Sequence, residues 1–214
     1  MTLPFDPSFQ TAIGAISVPG IMIGHRVISL GDEGALLANE APAFASSVVT
    51  VRRASGAARI VARELLAQFG LPVCSLPKGK AGAPIWPEGV VGSLSHDSHV
   101  AVAAVALRRT VVALGIDVEP AEALPLDVLD LVATPRERLK IGDDPYRGRL
   151  LFVAKEAVYK AVYPLDQQFL DHHDVEISIS EGRATVRNGR VLELRFCISK
   201  HLVALAFVRS GDNP

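Results

Sequence analysis

The sequence predicts a mixed α/β (α+β) fold made of two related halves. Some segments space their apolar residues like helices, and others alternate or run apolar like strands. In addition, SKHLVALAF from Ser199 echoes SHDSHVAVAAVA from Ser95, since each begins with a serine and a polar turn containing histidine and continues as an apolar strand. Self-similarity at about half the chain length favours two halves, which we place at residues 1–118 and 119–214.

Composition excludes several classes of protein. A chain of 214 residues that is 49% hydrophobic can bury an ordinary globular core. It has 22 Lys plus Arg and 23 Asp plus Glu, so no net field draws it to nucleic acid or to an acidic membrane. Cys74 and Cys197 lack metal-ligand spacing and indicate free thiols. The sequence has no secretory signal pattern and no run near the roughly 18 apolar residues of a membrane helix, so we expect a cytoplasmic protein.

The first predicted helix follows Ser55, which we take as its cap, and stops at Gly70. Arg59 and Arg63 are four residues apart and share one face of it. Arg53 and its neighbour at 52 lie just before the cap and complete the densest basic cluster in the chain. Taken alone, such a cluster is typical of a solvated helix face.

Two later helices have clear boundary signals. Thr134, followed by Pro135 and by Glu137, forms a capping-box pattern that opens the second helix. The third runs from about Leu150 to Val162 and is expected to end before the proline at 164, because the proline ring opposes continuation.

The remaining regular segments are predicted strands. Val100 to Leu107 and Val111 to Val118 are apolar throughout, and the short turn between them favours a hairpin. From residue 175 onward, alternating segments separated by turns at 181–182, 188–189 and 199–201 predict a small antiparallel sheet.

The segment GIDVEP places two carboxylates at the end of a buried strand. Asp117 and Glu119 are two apart, so their side chains share one face and repel each other. Solvent at the strand end, a partner arginine or a hard cation such as Mg2+ would each relieve this repulsion. The third helix favours the cation, since Lys155, Glu156 and Lys160 add one carboxylate and two lysines. A metal held by acids, with phosphates held by bases, is typical of phosphoryl transfer.

Histidines supply further candidates. Ser95 and His96 precede a strand and could both donate to phosphate oxygens. No Gly-x-Ser-x-Gly surrounds Ser95, so this is not a hydrolase nucleophile elbow. The spacing of His96 and His99 is a weak metal signal, and His172–His173–Asp174 reads as a loop.

Three motifs, taken in order, resemble the 4'-phosphopantetheinyl transferases, in particular the two-halved type that serves siderophore, nonribosomal peptide and polyketide synthases. They are P-x-W-P-x-G-x-x-G-S-x-S-H at Pro84–His96, G-I-D-x-E at Gly115–Glu119 and F-x-x-K-E-A-x-x-K at Phe152–Lys160. The resemblance implies two halves related by pseudo-twofold symmetry, each a small antiparallel sheet packed with helices. It also implies an active site at their interface and a monomeric protein.

The implied reaction moves the 4'-phosphopantetheine arm of coenzyme A to a serine of an apo acyl or peptidyl carrier protein and releases adenosine 3',5'-bisphosphate. On this resemblance Asp117, Glu119 and Glu156 hold Mg2+ on the pyrophosphate, and Lys160 lies near it. Glu156, directly or through a bound water, is our candidate base for the acceptor hydroxyl, so Glu156 and Lys160 are the candidate catalytic residues.

The resemblance also suggests how coenzyme A phosphates are bound. His96 contacts phosphate in relatives, and the forks of Arg53 and Arg59 suit the 3'-phosphate. Relatives often carry an arginine where Gly82 stands here, and Lys80 is our candidate for supplying that charge. The candidate coenzyme A ligands are therefore Arg53, Arg59, Lys80, Ser95, His96, Lys155 and Lys160.

Two other functions fit parts of this pattern. A metal-dependent nuclease also uses paired acids, but it usually places a lysine close behind the second acid, whereas Pro120 follows Glu119. It also needs a broader basic surface. A non-catalytic module that binds coenzyme A or carrier protein could dispense with Glu156 or Lys160, and the presence of both favours the enzyme. We expect neither a nucleic acid nor a membrane as partner.

Overall fold

The computed structural model describes residues 6–212, which contain five α-helices and eight β-strands. The helices are α1 (Pro7–Gly14), α2 (Val49–Gln68), α3 (Leu126–Val132), α4 (Pro135–Ile141) and α5 (Arg147–Asp166). The strands are β1 (Ile21–Val27), β2 (Val90–His96), β3 (Val100–Leu107), β4 (Val111–Pro120), β5 (Val175–Ser178), β6 (Arg183–Val186), β7 (Val191–Ile198) and β8 (His201–Arg209). None of the described helices has the length and hydropathy needed to span a bilayer.

The strands form two antiparallel sheets. The first has the order β1-β3-β2, and the second has the order β4-β8-β7-β6-β5. Helix α2 packs on the first sheet and α5 packs on the second. The predicted α+β class, with a small antiparallel sheet and a long helix in each part, is confirmed.

The two sheets also pack against each other, so their central strands are buried on both faces. Successive residues of β3 point alternately into the core between the sheets and into the core under α2, as seen at Val102, Ala103, Ala104 and Val105. β8 alternates in the same way between the central core and the core under α5. This four-layer arrangement explains why both strands are apolar without interruption.

The predicted hairpin between β3 and β4 is wrong, although both strands exist at the predicted places. β3 is a central strand whose two edges are already taken by β1 and β2, so β4 cannot pair with it. β4 instead pairs with β8 in the other sheet. The turn at residues 108–110 therefore connects the two sheets, and the boundary predicted after residue 118 moves to this turn because residue 118 lies inside β4.

Two predicted helix ends also need correction. α2 begins at Val49, six residues before Ser55, so Ser55 is a buried interior residue and not the cap. α5 continues past Pro164 to Asp166. A proline this close to the carboxyl end removes one backbone donor and is followed by only two more helical residues, so the helix tolerates it.

Other predictions are confirmed. Thr134 caps α4 in a reciprocal capping box with Glu137. The last four strands form the antiparallel sheet with turns where they were expected. The echo between Ser95 and Ser199 also has a structural meaning, because the two segments are the turns and second strands of two hairpins, β2–β3 and β7–β8.

Gly115 lets α5 lie directly on β4. A Cβ atom at this position would stand 1.9 Å from the carbonyl oxygen of Ala157 and 2.7 Å from the amide nitrogen of Ala161. Any larger residue would push the helix off the strand. This close approach brings the polar face of α5 to the end of β4, where Asp117 and Glu119 lie.

His25, on β1, holds α1 in place as a neutral ring. It is 7% exposed, its Nε2 accepts the backbone N–H of Asp6 at 3.1 Å, and its Nδ1 lies 3.1 Å from the amide oxygen of Gln10, to which it donates. Burial lowers the pKa of His25, and the nearby charge of His201 lowers it further, against an opposing effect of Asp6.

We therefore expect the free energy of unfolding to decrease as pH falls below the ordinary histidine value of 6.5. Unfolded His25 takes up its proton there and folded His25 only at lower pH, so between these values the unfolded chain binds more protons and stability rises with pH. Urea titrations across this range should show a smaller slope in His25→Gln and the wild-type slope in the exposed control His173→Gln. An unchanged slope in His25→Gln would contradict the assignment.

Candidate active site

A cleft of about 400 Å3 opens between the two halves. Helix α2 and the end of β2 form one wall, and β4 with α5 forms the other. Its lining residues are Phe44, Val51, Ser55, Ala58, Arg59, Lys78, Gly82, Pro84, Leu94, Ser95, His96, Asp117 and Lys160. Residues from all three sequence motifs therefore face one cavity, although they come from different sheets and from α5.

Asp117 is the point at which the motifs meet. It is 5% exposed, and its Oδ1 accepts a hydrogen bond of 2.7 Å from Ser95 Oγ and one of 2.6 Å from Lys160 Nζ. Lys160 also donates to Ser95 Oγ at 2.9 Å. Ser95 thus uses its proton on Asp117, which corrects its predicted role as a phosphate donor and makes it a support for the carboxylate.

The second oxygen of Asp117 has no such support. Asp117 Oδ2 is buried, and within residues 6–212 it has no hydrogen-bond partner. Leaving a carboxylate oxygen buried and unpaired costs free energy, so this atom is poised to accept a ligand from the cleft.

Glu119 is held differently. Its carboxylate pairs with Arg149 Nη1, at the start of α5, at 3.1 Å. Burial raises the pKa of Glu119, the neighbouring Asp117 charge raises it further, and Arg149 opposes both. The repulsion expected from GIDVEP is therefore present in the folded protein, and Arg149 relieves only part of it.

Glu156, one turn before Lys160 on α5, lines a neighbouring cavity together with Lys160 and is paired with His172. The two side chains are 3.2 Å apart, between His172 Nε2 and Glu156 Oε1. This hydrogen bond lowers the pKa of Glu156, burial opposes the shift, and the charge of Lys160 adds to it. Glu156 is therefore a carboxylate at neutral pH, suited to holding a cation.

The three predicted metal ligands are not gathered around one point. Among the residues described, no three His, Cys, Asp or Glu side chains lie close enough together to hold a metal ion. Asp117 and Glu119 fit a hard cation, because one offers an unpaired oxygen and the other is destabilised by its neighbour's charge. Glu156 is paired with His172 through Oε1, and its part in a metal site remains a prediction.

The far end of the cleft is aromatic and basic. The guanidinium carbon of Arg59 lies 4.9 Å from the centroid of the Phe44 ring, and Lys78 Nζ lies 5.4 Å from it. Arg59 is not on the solvated face that a lone basic cluster suggests, since it is 4% exposed and donates to the carbonyl oxygens of Leu76 and Ser55 at 3.0 and 3.2 Å. Two cations beside one ring suit a phosphate next to a planar base.

Lys78 lies at the place where the sequence analysis expected a cation to compensate for Gly82. A Cβ atom at Gly82 would lie 3.1 Å from Lys78 Cε, so the lysine stem packs directly over this glycine, where relatives often carry arginine. The side chain of Lys80 lies outside the described part of the chain, and its predicted contact stays a prediction.

His96 ends β2 and lines the cleft with an exposed side chain. Desolvation against the cleft walls lowers its pKa, and the charge of Lys160 adds to this effect, while Asp97 and Asp117 oppose it. Its position fits the predicted phosphate contact.

The structure does not bring Arg53 into the cleft. Its guanidinium forms a two-point ion pair with Glu33, at 2.9 and 3.2 Å, and that pairing lowers the pKa of Glu33 to about 2. Arg53 and Arg59 are six residues apart on α2, which separates them by about 120° around the helix, so they cannot share a face. The pairing with Glu33 contradicts the prediction that Arg53 binds coenzyme A, and the corresponding role of Arg59, which lines the cleft, stays a prediction.

Lys155 is also removed from the set of phosphate ligands. It is 2% exposed, and its ammonium donates to Glu137 Oε2 at 2.7 Å and to the carbonyl oxygens of Val132 and His172 at 2.8 and 2.7 Å. The three ammonium protons of Lys155 are thus donated to acceptors inside the C-terminal half. It lies four residues after the core residue Leu151, so it continues the buried stripe of α5 and not the polar face.

Sequence reasoning missed four residues of this region. Phe44, Lys78, Arg149 and His172 contact, respectively, Arg59, the Phe44 ring, Glu119 and Glu156. Lys78 shares with Lys80 the short segment PKGK, so its charge was visible although its placement was not. The other three lie outside the motifs. His172 was considered only within His172–His173–Asp174, which was interpreted as a loop, and nothing in the local pattern marks Phe44 or Arg149.

Comparisons with known proteins agree with the geometry. Residues 39–106 match the model of the 4'-phosphopantetheinyl transferase N-terminal domain, and residues 113–208 match that of the 4'-phosphopantetheinyl transferase superfamily. The chain is 46% identical over 151 residues to 4'-phosphopantetheinyl transferase Npt of Nocardia iowensis, which covers 68% of each chain. It is 41% identical over 161 residues to PptT of Mycobacterium tuberculosis, covering 72% of this chain and 69% of that protein.

A more distant relative is enterobactin synthase component D of Escherichia coli, at 32% identity over 123 residues, which cover 54% of this chain and 57% of the relative. The two matched family regions lie on either side of the turn that connects the sheets: the first contains α2, β2 and nearly all of β3 but not β1, and the second contains α5 and nearly all of the second sheet. Together with the convergence of the three motifs on one cleft, these matches confirm the predicted family. The chain belongs to the 4'-phosphopantetheinyl transferase superfamily and is an enzyme of that class.

Proposed function

We propose that this enzyme binds coenzyme A in the cleft and transfers its 4'-phosphopantetheine arm to a serine of an apo acyl or peptidyl carrier protein. The observation that carries the proposal is the arrangement of charge along the cleft. Cations and an aromatic ring stand at one end, at Arg59, Lys78 and Phe44, and the carboxylate of Asp117 stands at the other, with Glu119 two residues further along β4. A ligand with a base, several phosphates and a bound cation matches this order.

In this proposal Arg59, Lys78 and His96 bind the phosphate next to the adenosine, and Phe44 packs beside its base. Lys160 lies between Asp117 and the open cleft, where its positive charge faces the pyrophosphate. Both walls of the cleft come from one chain, so we propose that a single copy is active.

Asp117 Oδ2 and Glu119 are the residues that would hold Mg2+, with Glu156 as a third candidate after it leaves His172. Bound there, the ion neutralises charge on the pyrophosphate oxygens. Ser95 and Lys160 fix the orientation of the Asp117 carboxylate through Oδ1, which leaves Oδ2 without a protein partner and able to bind the cation.

The reaction forms one bond and breaks one bond. The acceptor serine oxygen bonds to the β-phosphorus, the bond from that phosphorus to the bridging oxygen breaks, and adenosine 3',5'-bisphosphate leaves with the bonding electron pair. The hydroxyl proton passes to a base, for which Glu156 is our candidate because it is a carboxylate at the polar face of α5.

The test is to mix the protein with coenzyme A, Mg2+ and an apo carrier protein and to measure the mass of the carrier. Addition of one phosphopantetheine, abolished by a chelator, is the expected result. If several unrelated carriers gain no mass although coenzyme A binds, the protein is a binding module. If coenzyme A does not bind, the proposal fails altogether.

Glu156→Gln keeps the shape of the side chain but removes its charge and its ability to accept a proton. We expect about a hundredfold slower transfer, because a positioned general base commonly contributes at least that much. The rate of mass gain should fall while the melting temperature changes little, since Glu156 is only half-buried. A wild-type rate would remove Glu156 from the mechanism.

A further inference from the structure

The residue after His96 connects the two halves. Asp97 lies in the turn between β2 and β3, and its Oδ2 accepts a hydrogen bond of 2.6 Å from Nδ1 of His201, the first residue of β8. The Asp97 side chain is 2% exposed and that of His201 is 12% exposed. A short, nearly buried bond between a carboxylate and an imidazole is among the stronger hydrogen bonds in proteins.

Asp97 also shapes its own turn. Its Oδ1 accepts the backbone N–H groups of His99 and Val100, both at 2.7 Å. These hydrogen bonds and the one from His201 outweigh the effect of burial and lower the pKa of Asp97. Both oxygens of the Asp97 carboxylate therefore accept hydrogen bonds, Oδ1 from its own turn and Oδ2 from His201 in the other half.

The other end of this contact lies beside the acidic strand. In the second sheet His201 pairs with Pro120, and the next residue of β8, Leu202, pairs with Glu119. The ring of Phe9, from α1, packs on His201 with centroids 4.9 Å apart. His201 therefore has a fixed place next to the strand that carries Asp117 and Glu119.

Both neighbours of His96 are thus tied to the C-terminal half. Ser95 donates to Asp117, and Asp97 accepts from His201, so the chain is anchored on each side of the histidine that lines the cleft. Neither contact uses the imidazole of His96 itself. The position of His96 relative to Asp117 therefore depends on two cross-sheet contacts, and only the Ser95 contact lies within the cleft.

We propose that Asp97 and His201 are positioning residues for coenzyme A, whose hydrogen bond holds the His96 turn against the strand carrying Asp117 and Glu119. This inference rests on the proposed function. It predicts that loss of the hydrogen bond between Asp97 and His201 lowers the affinity for coenzyme A only when His96 is present.

The test measures the dissociation constant for coenzyme A by calorimetry, in the wild-type background and in a His96→Ala background. His201→Phe keeps a ring against Phe9 but removes the donor, and we expect about tenfold weaker binding, a change typical of losing one buried hydrogen bond to a charge. In the His96→Ala background the same substitution should change affinity by less than about twofold, because the turn no longer carries a ligand.

Three further variants complete the design. His201→Asn places an amide N–H near the position of Nδ1 and should restore most of the lost affinity. Glu193→Gln, which alters exposed ion pairs on β7, should bind coenzyme A like wild type. If His201→Phe does not fold, Asp97→Ser is compared in the same two backgrounds, since it removes the acceptor instead.

The outcomes separate the two claims. Equal losses in both backgrounds, or no loss in the wild-type background, would overturn the positioning role while leaving the proposed function in place. A wild-type protein that does not bind coenzyme A would overturn both. A loss that depends on His96 and is recovered by His201→Asn supports the proposal, because a purely structural weakening would show neither property.

Discussion

Asp117→Asn is expected to lower the rate of phosphopantetheine transfer by about a thousandfold or more, the scale of losing a preorganised electrostatic contact in an active site. The variant keeps the shape of the side chain, and its amide oxygen can still accept from Ser95 and Lys160. It loses the negative charge and, with its oxygen at the position of Oδ1, places an amide NH2 group at the position of the buried, unpaired Oδ2. The mass of the carrier protein over time gives the rate.

A second measurement separates ligand binding from chemistry. In the presence of coenzyme A, Mg2+ should raise the melting temperature of the wild type, because a ligand that binds only the folded state stabilises it. The Asp117→Asn variant should show little of this increase. Glu181→Gln, which alters an exposed acid in the turn between β5 and β6, is the matched control and should behave as wild type. Wild-type transfer by Asp117→Asn would exclude the proposed metal site.

Lys155→Met is expected to destabilise the protein by about 3–5 kcal/mol, the usual cost of removing one partner from a buried ion pair. Met has a similar length, so little volume is lost. Glu137, which is 3% exposed, keeps its hydrogen bonds from the backbone N–H groups of Thr134 and Ile177 but loses its compensating charge. Urea unfolding measures this effect.

The same variant tests the corrected role of Lys155. Since its ammonium lies inside the C-terminal half, the affinity for coenzyme A should be unchanged under conditions in which the variant is folded. A weakened affinity with unchanged stability would restore Lys155 to the phosphate site. If the single variant does not fold, Lys155→Met combined with Glu137→Gln removes both charges and should recover much of the stability. Exposed Lys140→Met, on α4, is the control and should affect neither property.

Local sequence signals correctly predicted those helix ends and strands that depend on residues close together in the sequence. The capping box at Thr134, the strands of the last third and the stop of α2 near Gly70 depend on neighbouring residues, and each is found at or near its expected place. The predicted start of α2 was wrong because serine is a favourable capping residue and Ser55 was taken as the cap. Packing of α2 against the first sheet and the segment near Asp32 stabilises additional helical turns before Ser55.

The pairing of the strands could not be predicted in the same way. β3 and β4 are adjacent in sequence and equally apolar, which favours a hairpin in isolation. The assembled first sheet already occupies both edges of β3, and β4 finds its partner in β8, about ninety residues later. Local patterns contain no information about which edge is free.

The candidate active site shows the same difference between what local sequence patterns predict and what tertiary packing decides. Spacing alone put Asp117 and Glu119 on one face of a strand; Asp117 lines the cleft, and its charge raises the pKa of Glu119, as the predicted repulsion requires. Residue type alone assigned Arg53 and Lys155 to phosphate, and their surroundings decided otherwise, because Glu33 and Glu137 supply closer partners for their charges. A charged side chain forms an ion pair with the nearest group of opposite charge, and that group is usually distant in sequence.

The amino-acid sequence thus specified three of the five described α-helices, six of the eight described strands, the two related halves and the acidic pair, since periodicity, caps and turn residues act over a few positions, whereas α1, α3, β1 and β2 were not predicted. The tertiary structure alone decided which strands pair and which lysine packs over Gly82. It also decided three side-chain pairs, which are Arg149 with Glu119, His172 with Glu156 and His201 with Asp97. These contacts join residues of different elements, and each exists only because packing of two sheets and two long helices brings their side chains within hydrogen-bonding distance.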